Sequence, residues 1–222
     1  MYIVEKFRSV MHNINMVESV LPVGPYGHGN GLWEYNSRRD MQEVIPGVFL
    51  GPYSCALRQN VERLERCNVT HVVCIRHTKE ACVIRPNSPD RFKYLVLTVA
   101  DDPEENIIHH FPVFRDFINE AQRNGTKALV HGNAGISRSA ALVIAYGMEY
   151  YNTSFEDAFK VIQSYRFCIH PSEAFCYQLK EYENIYKARA SQGNGRIQSS
   201  RKRQNREDAD DGDRGNGQTM LM

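Results

Sequence analysis

The stretch that decides the fold reads Lys127-Ala128-Leu129-Val130-His131-Gly132-Asn133-Ala134-Gly135-Ile136-Ser137-Arg138-Ser139-Ala140-Ala141. Its first residues are apolar and fit a buried strand, and the residues from Arg138 onward open an apolar helix. Backbone amides at a strand-to-helix junction can converge on an anion, and the helix N-terminus adds a favourable dipole. The stretch therefore predicts a phosphate-binding loop between a strand and a helix.

The residue types in this loop suit a tetrahedral dianion. Glycines at 132 and 135 would permit left-handed or crowded backbone conformations. Five residues separate Gly132 from Arg138. The planar guanidinium of Arg138 can donate hydrogen bonds to two phosphate oxygens at the same time. The G-x-x-x-x-G-K-[ST] order of a Walker loop is absent. The predicted phosphate-binding residues are Gly132, Asn133, Ala134, Gly135, Ile136, Ser137 and Arg138.

Outside the loop, strand-like and helix-like segments alternate along the chain. Residues 41–50 predict a strand pair with a turn at Pro46-Gly47. Further predicted strands are 69–75, 92–99 and 127–131, and predicted helices are 55–67, about 107–123, 138 onward, 154–165 and 171–187. This alternation predicts an α/β fold with a central, mainly parallel sheet flanked by helices.

Composition predicts one domain with two tails. Residues 1–32 end in a glycine-rich run and are expected to be a flexible extension, residues 33–188 form the predicted domain, and residues 189–222 are expected to be disordered. The cluster Arg201-Lys202-Arg203 lies in this tail beside an acidic block. It fits either a nuclear import signal or a plain solvated tail, and the sequence does not decide between them.

Charge and cysteine usage exclude several function classes. The net charge is +1, so no whole-chain field attracts nucleic acid or a membrane surface. No apolar run approaches the ~18 residues of a membrane span, and the N-terminus lacks the pattern of a secretory signal. The six cysteines form no C-x-x-C pair, and no histidines sit at zinc spacing. We therefore expect a cytoplasmic and nuclear monomer without metal or cofactor.

Residues 131–139 resemble a known signature. His-Gly-Asn-Ala-Gly-Ile-Ser-Arg-Ser is similar to the H-C-x-x-G-x-S-R-S motif of dual-specificity protein phosphatases. The resemblance extends over about residues 41–187 and is strongest to a pseudophosphatase subfamily that has glycine in place of the nucleophilic cysteine. It implies the fold of that family, with the phosphate loop between a strand and a helix.

The resemblance also implies roles for individual positions. Gly132 stands where the family keeps its thiolate, and Arg138 is the phosphate-binding arginine. Ser139 would assist the departing thiolate, and His131 would support the loop.

Asp101 lies at about the distance upstream where the family places its general acid. Its neighbour Asp102 fits that role less well. In an alternative interpretation, both aspartates only cap the next helix.

A glycine at position 132 offers no nucleophile, and losing a catalytic nucleophile costs on the order of a millionfold in turnover. We therefore predict a catalytically inactive phosphatase that binds proteins phosphorylated on serine, threonine or tyrosine. The resemblance implies MAP kinases and an F-box substrate receptor of a ubiquitin ligase as partners. Two alternatives stay open: an active phosphatase that uses Ser137, Ser139 or a recruited water, and a scaffold whose pocket is a relic.

Overall fold

The computed structural model describes residues 33–189. The predicted extension 1–32, the tail from residue 190 and the basic cluster at Arg201 lie outside the described residues. Chain contacts divide the protein into one unit from Met1 to Glu183 and another from Asn184 to Met222. Residues 184–189, the described part of the second unit, are helical. Within residues 33–189, no helix is both long and apolar enough for a membrane span.

A five-stranded sheet forms the centre of the first unit, with the strand order β1-β2-β5-β3-β4. The strands are β1 (Gln42–Ile45), β2 (Val48–Gly51), β3 (Val69–Arg76), β4 (Lys93–Thr98) and β5 (Lys127–His131). β1 pairs antiparallel with β2, and all other neighbours are parallel. This arrangement confirms the predicted mainly parallel sheet. The middle strand β5 is buried from Ala128 to His131, as its apolar sequence requires.

Helices flank the sheet. They are α1 (Val61–Arg66), α2 (Phe111–Arg123), α3 (Arg138–Tyr151), α4 (Phe155–Tyr165) and a further helix, α5, over residues 173–183 of the first unit. α3 is buried from Ser139 to Met148, and α2 packs against it and against β3 and β5. On α1, Leu64 joins a buried cluster with Phe49 of β2 and Val72 of β3. The fold thus has apolar helix faces packed on a buried sheet.

Local signals in the sequence placed most helix ends correctly. Ser154 caps α4, because its hydroxyl accepts a hydrogen bond from the amide of Asp157 at 3.1 Å. Pro112 lies in the first turn of α2. The predicted continuous helix 55–67 is wrong, because Leu57 is extended. Short 3-10 turns at Tyr53–Ala56 and Arg58–Asn60 precede α1 instead.

The parallel strands bring separate parts of the chain to one edge of the sheet. β5 ends at His131, directly before the predicted phosphate loop, and β3 and β4 end at Arg76 and Thr98. The carboxyl ends of parallel strands are where open α/β folds bind ligands. The segments after these three strands therefore lie next to one another.

β2 also meets the loop at its carboxyl end. Gly135 has a φ of +68°, and a Cβ atom on it would lie 2.3 Å from the carbonyl oxygen of Gly51. Position 135 therefore requires glycine both for its left-handed backbone and for its contact with β2. The sequence predicted the first requirement and not the second.

We predict that Gly135→Ala lowers the free energy of unfolding by about 3 kcal/mol or more, because it combines left-handed strain with overpacking. Gly125→Ala is the matched control, since Gly125 has the same φ of +68° and open space around it. That control should cost about 1 kcal/mol. Urea unfolding measures both variants, and equal costs would contradict the close approach to Gly51.

Candidate functional site

The loop that joins β5 to α3 turns its carbonyl groups outward, where each has a hydrogen-bond donor. The partners are His131 Nδ1 for the carbonyl of Gly132 (3.2 Å), the Tyr53 amide for Asn133 (3.0 Å), Arg166 Nη2 for Ala134 (3.0 Å), Arg166 Nε for Gly135 (2.9 Å) and the His170 amide for Ile136 (2.9 Å). The N–H and C=O groups of a planar trans peptide point in opposite directions. The loop amides therefore face inward, and no acceptor in residues 33–189 takes a hydrogen bond from the amides of residues 133–137.

Arg138 begins α3 beside these amides. Its guanidinium binds the carboxylate of Glu80 with Nη1–Oε2 at 2.7 Å and Nη2–Oε1 at 3.1 Å. Nη1 also donates to the carbonyl of Val99 at 3.2 Å. The bond from Arg138 holds the pKa of Glu80 below its usual value. The largely buried guanidinium of Arg138 is thus held by a carboxylate partner that the sequence did not predict.

Asp101 lies at the rim of the loop. Its carboxylate accepts a hydrogen bond from the hydroxyl of Ser137 at 3.1 Å. Asp102 instead accepts from the amide of Glu104 at 2.9 Å and so caps a local turn. The next turn, Ile107–His110, has Asn106 as its N-cap. Of the two aspartates, Asp101 is therefore the one that contacts the predicted phosphate-binding residues.

Gly132 and Ser139 lie against each other. A Cβ atom on Gly132 would lie 3.4 Å from Ser139 Oγ and 3.6 Å from the carbonyl oxygen of Ile75. The φ of Gly132 is outside the left-handed region, so the expectation that this glycine serves an unusual backbone conformation is wrong. Ser139 is buried, and its hydroxyl has no hydrogen-bond partner within the described part of the chain. Position 132 therefore has room for a Cβ atom beside an unpaired hydroxyl.

His131, the last residue of β5, contacts the loop from within the protein core. The ring is fully buried, and burial lowers its pKa to about 4, so it is neutral at pH 7. It bonds the Gly132 carbonyl and lies 5.6 Å from the ring of Tyr53, measured between ring centroids. The structure thus places His131 in contact with the loop, and its supporting role stays a prediction.

Sequence reasoning missed Arg166, which follows α4 and is completely buried. A guanidinium has five N–H donors. Those of Arg166 bind the carbonyls of Ala134, Gly135, Arg38 and Asp40 and the side-chain oxygen of Gln42. Burial lowers the pKa of Arg166, and the oxygen partners replace its lost hydration. The only local signal was one arginine between the aromatic residues Tyr165 and Phe167.

We predict that Arg166→Lys destabilises the protein by about 2 kcal/mol or more, because an ammonium has three donors and leaves buried carbonyls unpaired. Urea unfolding measures the effect. Arg91→Lys is the control, since Arg91 forms an exposed pair with Glu65, and it should change stability by less than about 0.5 kcal/mol. An Arg166→Lys variant as stable as the wild type would contradict this role.

We predict a pH dependence that belongs to His131. The pKa of His131 is about 4 in the folded protein, against the ordinary histidine value of 6.5 that we expect in the unfolded chain. Between pH 4 and 6.5 the unfolded chain therefore binds a proton at this histidine that the folded protein does not bind. The free energy of unfolding should therefore fall by up to about 3 kcal/mol as the pH drops from 6.5 to 4. His131→Asn should flatten this part of the curve, whereas His109→Asn, at an exposed histidine, should not. Parallel curves for wild type and His131→Asn would contradict the assignment.

Comparisons with known proteins show which family this chain resembles. The model of the dual specificity phosphatase catalytic domain matches residues 48–185. The serine/threonine/tyrosine-interacting protein of Mus musculus is 54% identical over 157 residues, which are 71% of this chain and 70% of that protein. Dual specificity protein phosphatase 22 of Mus musculus is 35% identical over 143 residues, or 64% of this chain and 73% of its own.

Solved structures give the same relationship. The crystal structure of the human tyrosine phosphatase-like serine/threonine/tyrosine-interacting protein matches with a TM-score of 0.66 and 53% identity, over 67% of this chain and 98% of that one. Human DUSP28 matches with a TM-score of 0.60 and 31% identity, over 66% of this chain and 95% of that one. The chain therefore belongs to the dual specificity phosphatase family and is a phosphatase-like protein.

Proposed function

We propose that this protein is a catalytically inactive phosphatase that binds proteins phosphorylated on serine, threonine or tyrosine. One observation carries the proposal: the loop presents inward amides beside Arg138, while Gly132 stands next to Ser139 where a nucleophile would be needed. The phosphate ligands are the backbone of residues 132–137 and the guanidinium of Arg138. His131 and Ser139 support the loop.

The absence of turnover follows from the chemistry of position 132. Glycine has no group that can form a covalent bond to phosphorus, so the first step of a phosphocysteine mechanism has no attacking atom. Losing such a nucleophile costs on the order of a millionfold in turnover. Asp101 is left with no leaving group to protonate.

Binding does not need the nucleophile. Hydrogen bonds to a charged group contribute ~1.5–3 kcal/mol each, and the loop amides and Arg138 supply several. The N-terminus of α3 adds its dipole. A glycine also avoids the negative charge of a thiolate, which would repel a phosphate dianion. Micromolar affinity, or ~−8 kcal/mol, is the expected range.

A second candidate is a phosphatase of altered mechanism, and one contact favours it. The hydroxyl of Ser137 donates to the carboxylate of Asp101, which is the arrangement of a nucleophile and a base. A serine hydroxyl needs a strong adjacent base to activate it, and a carboxylate that is exposed to water is a weak base for an alcohol. We therefore rank this candidate second.

The third candidate is a scaffold whose partners bind elsewhere on the surface.

The relatives named serine/threonine/tyrosine-interacting proteins support phosphoprotein partners for this chain. Family resemblance extends the proposal to MAP kinases and to an F-box substrate receptor of a ubiquitin ligase. Sequestration of such partners, or competition with active phosphatases, would regulate signalling or substrate recruitment. We place this activity in the cytoplasm and nucleus.

The test of binding is a titration of phosphotyrosine and phosphothreonine peptides against wild type and Arg138→Ala. We expect the variant to lose about tenfold or more in affinity, because it loses charge-assisted bonds to phosphate. Arg123→Ala, at an exposed arginine of α2, is the control and should bind like wild type. Partner binding that survives Arg138→Ala unchanged would favour the scaffold.

The same proteins are assayed for release of phosphate from p-nitrophenyl phosphate. Wild type should show none above background. Gly132→Cys should gain weak activity, because a Cβ fits at 132 and Asp101, Arg138 and Ser139 are already in place. Turnover by the wild type that Ser137→Ala abolishes would establish the second candidate instead.

A further inference from the structure

Residues 38–40 border the loop at the carboxyl end of β2. β1 runs antiparallel to β2, so the segment before β1 lies where β2 ends. Arg166 Nη2 donates to the carbonyl of Arg38 at 3.0 Å and to the carbonyl of Ala134 in the loop at 3.0 Å. Because one nitrogen atom bonds both carbonyls, Arg38 and Ala134 are close neighbours. The guanidinium of Arg38 lies 3.8 Å from the ring centroid of the exposed Tyr35.

Arg58 is anchored beside the same part of the loop. The 3-10 turn after β2 begins with Tyr53, whose amide donates to the Asn133 carbonyl of the loop at 3.0 Å. The Tyr53 hydroxyl donates to Asn87 Oδ1 at 3.2 Å, and Arg58 Nε donates to the Asn87 carbonyl at 2.9 Å. Arg58 is exposed, and its two Nη groups have no acceptor within residues 33–189. The anchored guanidinium therefore keeps its Nη donors for another acceptor.

Arg85 adds a third cation to this region. It is exposed and lies two residues before the residue that anchors Arg58. In the described part of the chain, no Asp or Glu carboxylate forms an ion pair with Arg38, Arg58 or Arg85. Asp40, the acid nearest to Arg38 along the chain, is instead bound to Arg63 at 2.7 Å. Arg38, Arg58 and Arg85 therefore form an arginine border of uncompensated positive charge beside the start of the loop.

Charge is distributed unevenly around the loop. The arginine border belongs to segments that contact Asn133 and Ala134 at the start of the loop. Asp101, in contrast, accepts a hydrogen bond from Ser137 at the end of the loop. A second anion on a ligand is therefore attracted at the start of the loop and repelled at its end.

We propose that the arginine border is a second anion-binding surface, which binds an anionic side chain close to the phosphorylated residue of the bound protein. The inference rests on the proposed function and narrows its partners to proteins that are acidic or doubly phosphorylated around the bound residue. A phosphate carries about −1.5 to −2 charges and matches the arginine fork, so a second phosphate should add more affinity than a carboxylate. The border begins beside the loop and extends across the side chain of Tyr53. An extended peptide advances ~3.3 Å per residue, so the second anion is expected about two to five residues from the first.

The test compares the affinities of phosphotyrosine peptides that carry alanine, glutamate or phosphoserine at one further position. That position is scanned on both sides of the phosphotyrosine. At about 0.1 M salt we expect the best position to give a gain of about threefold for glutamate and about tenfold for phosphoserine over alanine. At about 0.5 M salt both gains should fall by about half or more, because salt screens exposed charges.

Variants of the border show whether the gain arises there. Arg58→Gln/Arg85→Gln should reduce the phosphoserine gain to about threefold, and adding Arg38→Gln should bring it below about twofold. Binding of the alanine peptide should stay within about twofold of wild type, because the loop and Arg138 are unchanged.

Arg91→Gln/Arg123→Gln is the matched control for net charge. Both arginines are exposed, and they come shortly before β4 and β5 begin, at the edge of the sheet opposite the loop. This control variant should keep the full phosphoserine gain.

The outcomes separate this inference from the proposed function. If wild type binds the alanine peptide and neither anion improves binding at any position, the inference is wrong and the proposed function stands. Equal loss of the gain in the border variants and in the control variant would be a general charge effect and would also overturn it. A phosphoserine gain that survives in the triple variant places the second anion elsewhere and has the same consequence. If wild type binds no phosphotyrosine peptide, the proposed function fails and this inference fails with it.

Discussion

The site depends on the buried guanidinium of Arg166. A charge without solvent is stable only when its hydrogens are bonded, and here carbonyl and amide oxygens bind all of them. Two of those carbonyls belong to Ala134 and Gly135 of the predicted phosphate loop. By holding these two carbonyls outward, Arg166 turns the amides of Gly135 and Ile136 inward. The same side chain also donates hydrogen bonds to the carbonyls of Arg38 and Asp40. Arg166 therefore connects this segment near residue 40 to the loop.

In the proposed function, binding and chemistry use separate parts of the loop. The amides of residues 134–137 and the fork of Arg138 are positioned by contacts outside position 132. The amide of Asn133 is oriented by the bond from His131 Nδ1 to the Gly132 carbonyl, which needs no side chain at position 132. Gly135, in contrast, is required by the fold, since Gly51 leaves no room for a Cβ atom. The φ of Gly132 is outside the left-handed region, and a Cβ atom on it would make ordinary van der Waals contacts. No contact described here requires glycine at this position, and in the proposed function the consequence of the glycine is chemical, the lack of a nucleophile.

The sequence predicted what depends on neighbours along the chain. Apolar periodicity gave β5 and α3, and the glycine-to-arginine spacing gave the loop between them. It did not predict Glu80 or Arg166, because their partners lie 58 and 31 residues away and are brought together only by the sheet. The helix predicted over 55–67 failed for a different, local reason: the Asn60 side chain bonds the carbonyl of Ser54, and such side-chain bonds compete with the regular helix. Crowding at Gly135 likewise appears only when β2 reaches its place beside β5.

The most direct measurement of the central claim is an amide NMR titration of the wild-type protein with a phosphotyrosine peptide and with the same peptide lacking phosphate. In the proposed function, the inward amides of the loop bind the phosphate group of the peptide. The account predicts saturable shifts at the amides of residues 133–137 and at the Arg138 side chain, with the phosphorylated peptide only. Shifts confined to other surfaces, or the same shifts with both peptides, would contradict it.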